Sequence, residues 1–355
     1  MNQKLKNAIK HSVLFRIIVK TSVYKNYIYK KFCMVRKKML MDEAILEFTK
    51  NTPVNGSLED YKSAFKKHLC SYSEYMYQYE FWKLNDTQRN EYVSRLEMRL
   101  YYERHVPENI KLLFWNKERW LKYFKDYVNR SWISLSNISY NEFRNLIVPN
   151  KDYIAKPLEG SLGIGIFKFT RNEVSQSLFN KLKKENYLVE ELIHNESSLA
   201  AFHLFSLNTI RITTLPDGNI IGTFIRFGNN KNLVDNAHTG GILAKINPDT
   251  GIIETDGIDT EGHHYIIHPY SNIKFKGFEI PRWEEIKRVV REMHSKVPDA
   301  PVIGWDVCID SKNRIEIIEG NHLPDVDVLQ SPTKTGIRKK LEIQLKKAGL
   351  PSLNE

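Results

Sequence analysis

Two stretches of the chain hold residue types suited to phosphate groups and to hard metal ions. The first is Lys156-Pro157-Leu158-Glu159-Gly160-Ser161-Leu162-Gly163-Ile164-Gly165. Gly160, Gly163 and Gly165, with Ser161 between them, let backbone N–H groups come close to phosphate oxygens, and Lys156 adds a compact positive charge just before the loop. A Gly-Ser turn in an ordinary β-hairpin has the same composition, so the loop alone does not settle its role. It is not a P-loop, which needs Gly-Lys-Ser/Thr opening a helix.

The second stretch is Gly304-Trp305-Asp306 followed by Ile315-Glu316-Ile317-Ile318-Glu319-Gly320-Asn321. Residues two apart on a strand share a face, so Glu319 and Asn321 point together, and Asp306 joins them from a neighbouring strand. Two carboxylates and an amide oxygen form a hard-oxygen site for Mg²⁺ with positions left for phosphates and water. Polar residues at strand ends facing water are the plainer account. Against it, both acids follow apolar strand residues, and a buried carboxylate needs a cation or a donor. Arg211 and Arg226 also sit in strand contexts, so each should meet an anion, either an acid of the fold or a charged ligand. Of the histidines, His238 and His322 are placed near the site; no zinc-ligand spacing or nucleophile elbow is present.

The elements that must position these residues change character along the chain. From about residue 42 to 127 the sequence is aromatic-rich with large residues every three or four positions, which predicts helices. After Asn150 short β-type runs alternate with polar or glycine-bearing turns, at 153–155, 165–169, 187–189, 208–215, 220–227, 241–246, 302–309 and 315–318, with a helix over 283–295 whose start Pro281 fits. The reading is an α+β protein: an arm at 1–41, an α-rich region at 42–149, a small lid at 150–200 and a larger subdomain at 201–347 carrying the metal site.

As a set, the ordered residues resemble the ATP-grasp superfamily: Lys117, Lys156-Pro157 with its glycine loop, Leu188-Val189-Glu190-Glu191-Leu192-Ile193, and Asp306 followed by Glu319-Gly320-Asn321. Within it, Asn208-Thr209-Ile210-Arg211, the segment from Val234-Asp235-Asn236 to Gly240-Gly241, His268-Pro269 and Ile303-Gly304-Trp305-Asp306 are similar to the sugar-transfer-associated ATP-grasp proteins of bacterial polysaccharide gene clusters, over about residues 105–332. The resemblance implies the ATP-grasp fold, two α+β subdomains clamping ATP behind a helical N-terminal region. It further implies that Lys117 and Lys156 contact the α and β phosphates, and that Glu190, Glu191, Leu192 and Ile193 form a hinge holding adenine, either glutamate being the one that points inward. Asp306, Glu319 and Asn321 would hold Mg²⁺, and Arg211 and Arg226 would orient the γ-phosphate and an acceptor carboxylate. Lys111, Lys122 and Lys125 compete with Lys117 for its role. One position departs from the amino-acid ligases of the superfamily, which often carry an arginine two residues before the first metal-binding aspartate; here Gly304 stands there, so another arginine must serve.

The implied activity is ligation of a carboxylate and an amine by ATP, with co-substrates linked to a surface glycan; phosphate transfer, or nucleotide sensing with weak turnover, are the rivals. A net charge of +11 would suggest nucleic acid if it were spread over the chain, but its distribution argues against specific nucleic-acid binding. Residues 1–41 hold eleven Lys or Arg and no acid, and the remaining 42 of the 53 basic residues balance the 42 acids. With apolar residues interleaved, that arm reads either as an amphipathic helix on an anionic membrane or as a helix docked on its own domain. Three widely spaced cysteines and the lack of a membrane-spanning or signal-like run fit a cytoplasmic protein, in the first case peripheral on the inner face of the membrane.

Overall fold

The computed structural model describes residues 41–43, 45–50, 55–159, 165–229 and 240–354. The chain divides into two compact units, Met1–Lys67 and His68–Glu355. In the first, the helix Leu58–His68 carries Glu59 and Asp60 in its opening turn, where acids complement the helix dipole. Its Tyr61 ring stacks on Phe48 at 5.3 Å.

In the second unit, after short helical turns between Glu74 and Arg89, come helices Arg95–His105, Glu108–Trp115 and Lys117–Tyr123. Ser94 and Asn116 cap the first and third by accepting from the amides of Glu97 and Arg119. Strand β1 (Trp132–Ser134) follows, then β2 (Asp152–Pro157), β3 (Phe167–Thr170) and β4 (Tyr187–Glu191). These form an antiparallel sheet in the order β1-β4-β2-β3. Helices Tyr140–Leu146 and Gln176–Lys184 bring Phe143, Phe179 and Leu182 to its core. The lid sheet thus begins at Trp132, before the expected boundary at 150 and inside the region read as α-rich. A three-residue strand has too few positions to show a period, and only its pairing with β4 makes it one.

Seven further strands make the larger sheet: β5 (Thr209–Thr214), β6 (Ile220–Phe227), β7 (Ile242–Lys245), β8 (Gly257–Ile258), β9 (His264–Tyr265), β10 (Ile303–Ile309) and β11 (Ile315–Asn321). Their order is β11-β10-β5-β6-β7-β8-β9, and every pairing is antiparallel. All residues of β5 and β10 are buried, so both faces of the sheet centre are covered. Helix Trp283–Ser295 packs on β5 and β10, with the bounds the sequence predicts. On the same side Trp305 meets Phe114 and Phe124 at ring distances of 6.0 and 5.5 Å. Gly320, opposite Trp305 in register, leaves room for these helices: a Cβ there would lie 2.5 Å from Phe114 and 3.0 Å from Trp120 and Trp305. Alternation along β10 turns Asp306 to the opposite side from Trp305. Among the described residues no helix is long and apolar enough to cross a membrane. The arm at 1–41 lies outside the described residues except for Met41.

Candidate functional site

Register builds the site before any side chain is considered. Across β11, β10 and β5, Glu319 stands opposite Asp306 and Asp306 opposite Arg211, and two residues along β5 Thr209 stands opposite Arg226 of β6. The row places two acids and two arginines on one face. Asp306 is 1% exposed, and its carboxylate accepts from Arg211 Nε at 2.5 Å and Nη2 at 2.9 Å, with Arg226 Nη2 at 3.0 Å. Burial alone would raise its pKa, but the Arg211 and Arg226 guanidiniums outweigh that and hold it down at about 2. Arg226 also donates to Thr209 Oγ1 at 2.8 and 3.0 Å. The anion that the strand arginines require is therefore Asp306.

Gly304 explains how Arg211 reaches it. A Cβ at 304 would stand 3.1 Å from both Cδ and Nη1 of Arg211 and 2.8 Å from Pro324. The guanidinium from β5 passes over the position where some amino-acid ligases would carry their own arginine.

Register breaks once in β11. Asp306 pairs with Glu319 and Val307 with Ile317, so Ile318 is an extra residue, a β-bulge. A bulge re-aims side chains and leaves ladder groups without strand partners. Here the carbonyls of Ile317 and Ile318 accept from Arg130 Nη1 and Nη2 at 2.7 and 2.9 Å, and Ile318 joins Glu319 at the cavity wall. Asn321 Nδ2 lies 3.3 Å from Glu319 Oε1.

The opposing wall comes from the lid. On β4, Glu190 points inward and is 2% exposed, and Glu191 is partly exposed. Oε2 of Glu190 accepts from Lys156 Nζ at 2.6 Å and from Arg130 Nε at 2.8 Å. Burial pushes its pKa up, but Arg130 and Lys156 together depress it to about 2. Glu191 instead accepts from Lys151 at 2.8 Å and Ser131 at 2.9 Å. The amides of Glu191 and Leu192 donate to the carbonyls of Ser131 and Asp152.

Lys117 opens its helix, and burial lowers its pKa against the opposing pull of Glu319 and Glu190. Among its competitors Lys122 is tied to Glu118 at 2.6 Å on the surface, and Lys111 reaches toward Glu108 and the carbonyl of Glu103. His322 lines the same cavity, and burial beside Lys111 lowers its pKa to about 4, so it is neutral at pH 7. Gly160, Ser161, Gly163 and His238 lie outside the described residues; Gly165 has φ +79°, a conformation that favours glycine.

These groups face one another across a cavity of about 550 Å³ that holds Lys117, Lys156, Glu190, Asp306, Glu319 and Asn321 on its walls. A second cavity of about 250 Å³ shares Ile154, Lys156, Glu190 and Ile318 with it and runs along Leu192 and Ile193. Sequence reasoning missed Arg130 and Phe224, and it gave Ile318 and Thr209 no role of their own. Arg130 belongs to no motif, yet Glu316 on an apolar strand is a buried acid that demanded such a cation.

A model of the sugar-transfer-associated ATP-grasp family matches residues 132–346, more than half of the chain. The chain belongs to this family. Its two antiparallel sheets facing one cavity are the ATP-grasp fold. Among solved structures it is similar to the ATP-grasp ligase PsnB complexed with a minimal precursor, at 12% identity and TM-score 0.43 over 69% of this chain and 64% of that one. It is similar to the D-cycloserine synthetase DcsG at 8% identity and TM-score 0.42, over 72% of this chain and 79% of that one. A D-alanyl-alanine synthetase A from Vibrio cholerae follows at 9% identity and TM-score 0.40, over 65% and 60%. The chain spans less than two thirds of the length of PsnB. No curated protein matches it. In this family member Lys156 belongs to the smaller sheet, and the acids Asp306 and Glu319 belong to the larger one.

Proposed function

We propose that this ATP-grasp protein is an ATP- and Mg²⁺-dependent ligase that joins a carboxylate to an amine through an acyl phosphate, acting in the cytoplasm on a bacterial surface polysaccharide or a related glycan. The observation that carries the reading is the gathering of two charge systems on one cavity: Lys156 of the smaller sheet with Lys117 of its helix, and the Glu319, Asp306, Arg211 row of the larger sheet. Triphosphate has the charge to lie between them.

The residues fit the roles. Adenine enters the smaller cavity against Ile318, Leu192 and Ile193, with the Ile193 amide reading the ring edge. Lys117 and Lys156 neutralise phosphate oxygens as point charges. Glu319 and Asn321 supply hard oxygens. Asp306 has three of its roughly four lone-pair directions taken by arginine and keeps one. Those three residues would hold Mg²⁺, which supplies charge neutralisation on the phosphates when bound. Arg226, less buried than Asp306 and lining the cavity beside Phe224, faces the remaining space and is placed to orient the acceptor carboxylate. That carboxylate attacks the γ-phosphorus as the bond to ADP breaks, and the amine then displaces phosphate to leave an amide. Positioning and electrostatics carry the catalysis.

The test is an ADP-release screen with amino acids and uronic-acid-containing glycans, offered singly and in pairs, with mass spectrometry of products. Ligation requires both co-substrates and gives a condensed product. ADP formed with one co-substrate that retains the phosphate would instead make the protein a phosphotransferase.

A further inference from the structure

Arg130 lies between the two walls of the cavity and touches both. It is 6% exposed, and its guanidinium takes Glu190 of the lid strand, Glu316 of β11 at 2.6 Å, and the two bulge carbonyls. Glu316 Oε2 accepts in turn from the amide of Asn129 at 2.7 Å, so the side chain and its flanking backbone are fixed to β11. On the lid side the geometry is a competition. A single oxygen, Oε2 of Glu190, accepts both Arg130 and Lys156, and each charge-assisted donor on one oxygen weakens the hold of the other.

We propose that Arg130 is a positioning residue for the nucleotide phosphates: by sharing Glu190 it keeps Lys156 available to turn onto phosphate. Without Arg130, Glu190 would be a buried carboxylate with Lys156 as its main counter-ion, and moving that lysine to a phosphate would leave the acid unpaired. Lys156 would then stay on Glu190. The inference rests on the reading of Lys156 as a phosphate ligand.

Removing Arg130 alone would also orphan the buried Glu316, so the informative variant is Arg130→Met with Glu316→Gln, which removes one charge of each sign. Its folding is checked by circular dichroism. Binding of magnesium tripolyphosphate and of Mg·ADP is measured by calorimetry; tripolyphosphate has no base or ribose, so any contact of Glu190 with the nucleoside does not enter. The double variant should bind tripolyphosphate about tenfold more weakly than wild type, and adding Glu190→Gln should restore most of the loss by freeing Lys156. A merely structural Arg130 predicts no such rescue. A folded double variant with wild-type tripolyphosphate affinity, or a triple variant that stays weak, overturns the proposal. Lys156→Met is measured in parallel. If it binds tripolyphosphate normally, the phosphate role of Lys156 fails and the inference with it; if it loses binding while the double variant does not, the site stands and only the role of Arg130 is wrong.

Discussion

Replacing Asp306 by Asn keeps the shape of the side chain and removes the one anion that two arginines share. The arginine side chains are 9% and 13% exposed and that of Asp306 is 2% exposed, so solvent screens the cluster little. Depression of the carboxyl from its ordinary 3.8 to about 2 corresponds to about 2 kcal/mol of folding free energy at neutral pH. Breaking a buried pair from one side typically costs about 3–5 kcal/mol, because the partners stay buried without compensation. Asp306→Asn should therefore lose about 3 kcal/mol, a large part of an ordinary domain's stability. The sign of the pH effect follows from the direction of the shift. A carboxyl with a depressed folded pKa stabilises above its unfolded value, and the contribution fades as pH falls from about 4 through 2. Urea unfolding at pH 7, 5, 4 and 3 should show the variant weaker at neutral pH and its deficit shrinking below pH 4. Glu190, held down at about 2 as well, contributes in the same window and remains in both proteins, so the difference between them isolates Asp306. A deficit that is absent at pH 7, or that does not narrow in acid, would refute the reasoning that the arginines are held by this carboxylate.

Glu319→Gln should leave the fold intact and lower ATP turnover by orders of magnitude in a coupled ADP assay, since it removes a charge from the proposed Mg²⁺ site. Gly304→Ala should displace Arg211, whose Cδ and Nη1 lie 3.1 Å from the new methyl, and cost about 1–3 kcal/mol in denaturant unfolding; a neutral result would mean the strand shifts freely. His294 and His322 are buried with pKa values lowered to about 4, so stability should fall as pH drops from 6.5 toward 4, by on the order of 3 kcal/mol for each; His294→Gln should remove about half of that fall, which lies above the Asp306 window. Deleting residues 1–38 should abolish co-sedimentation with anionic vesicles and leave ATP turnover nearly unchanged, whereas a truncated protein that loses solubility would make the arm part of the fold.

Much of the larger sheet was legible because its strands are long enough to show themselves. Residues 220–227, 302–309 and the helix 283–295 have apolar content and end signals that nothing nearby contradicts, and β6, β10 and the helix fall on those bounds or within a residue of them. Asp306 was legible for the same local reason: it follows apolar strand residues, is buried, and had to meet a charge; Glu319, read the same way, is only partly buried. Which charge was not legible. Arg211 and Arg226 are far from Asp306 in sequence, and only the pairing of β5 with β10 and β6 makes them its partners. The bulge at Ile318, the inward turn of Glu190 over Glu191 and the placing of Lys117 on the cavity wall depend equally on register and packing. Arg130 is the clearest case. Its sequence surroundings carry no signal, and its importance comes from standing where a lid strand and a bulged strand approach each other. Local sequence determined residue types, strand parity and the need for compensation, because side-chain period and burial cost act over a few residues. Tertiary structure decided the partners, because ion pairs and cavities form between segments whose meeting no local rule specifies.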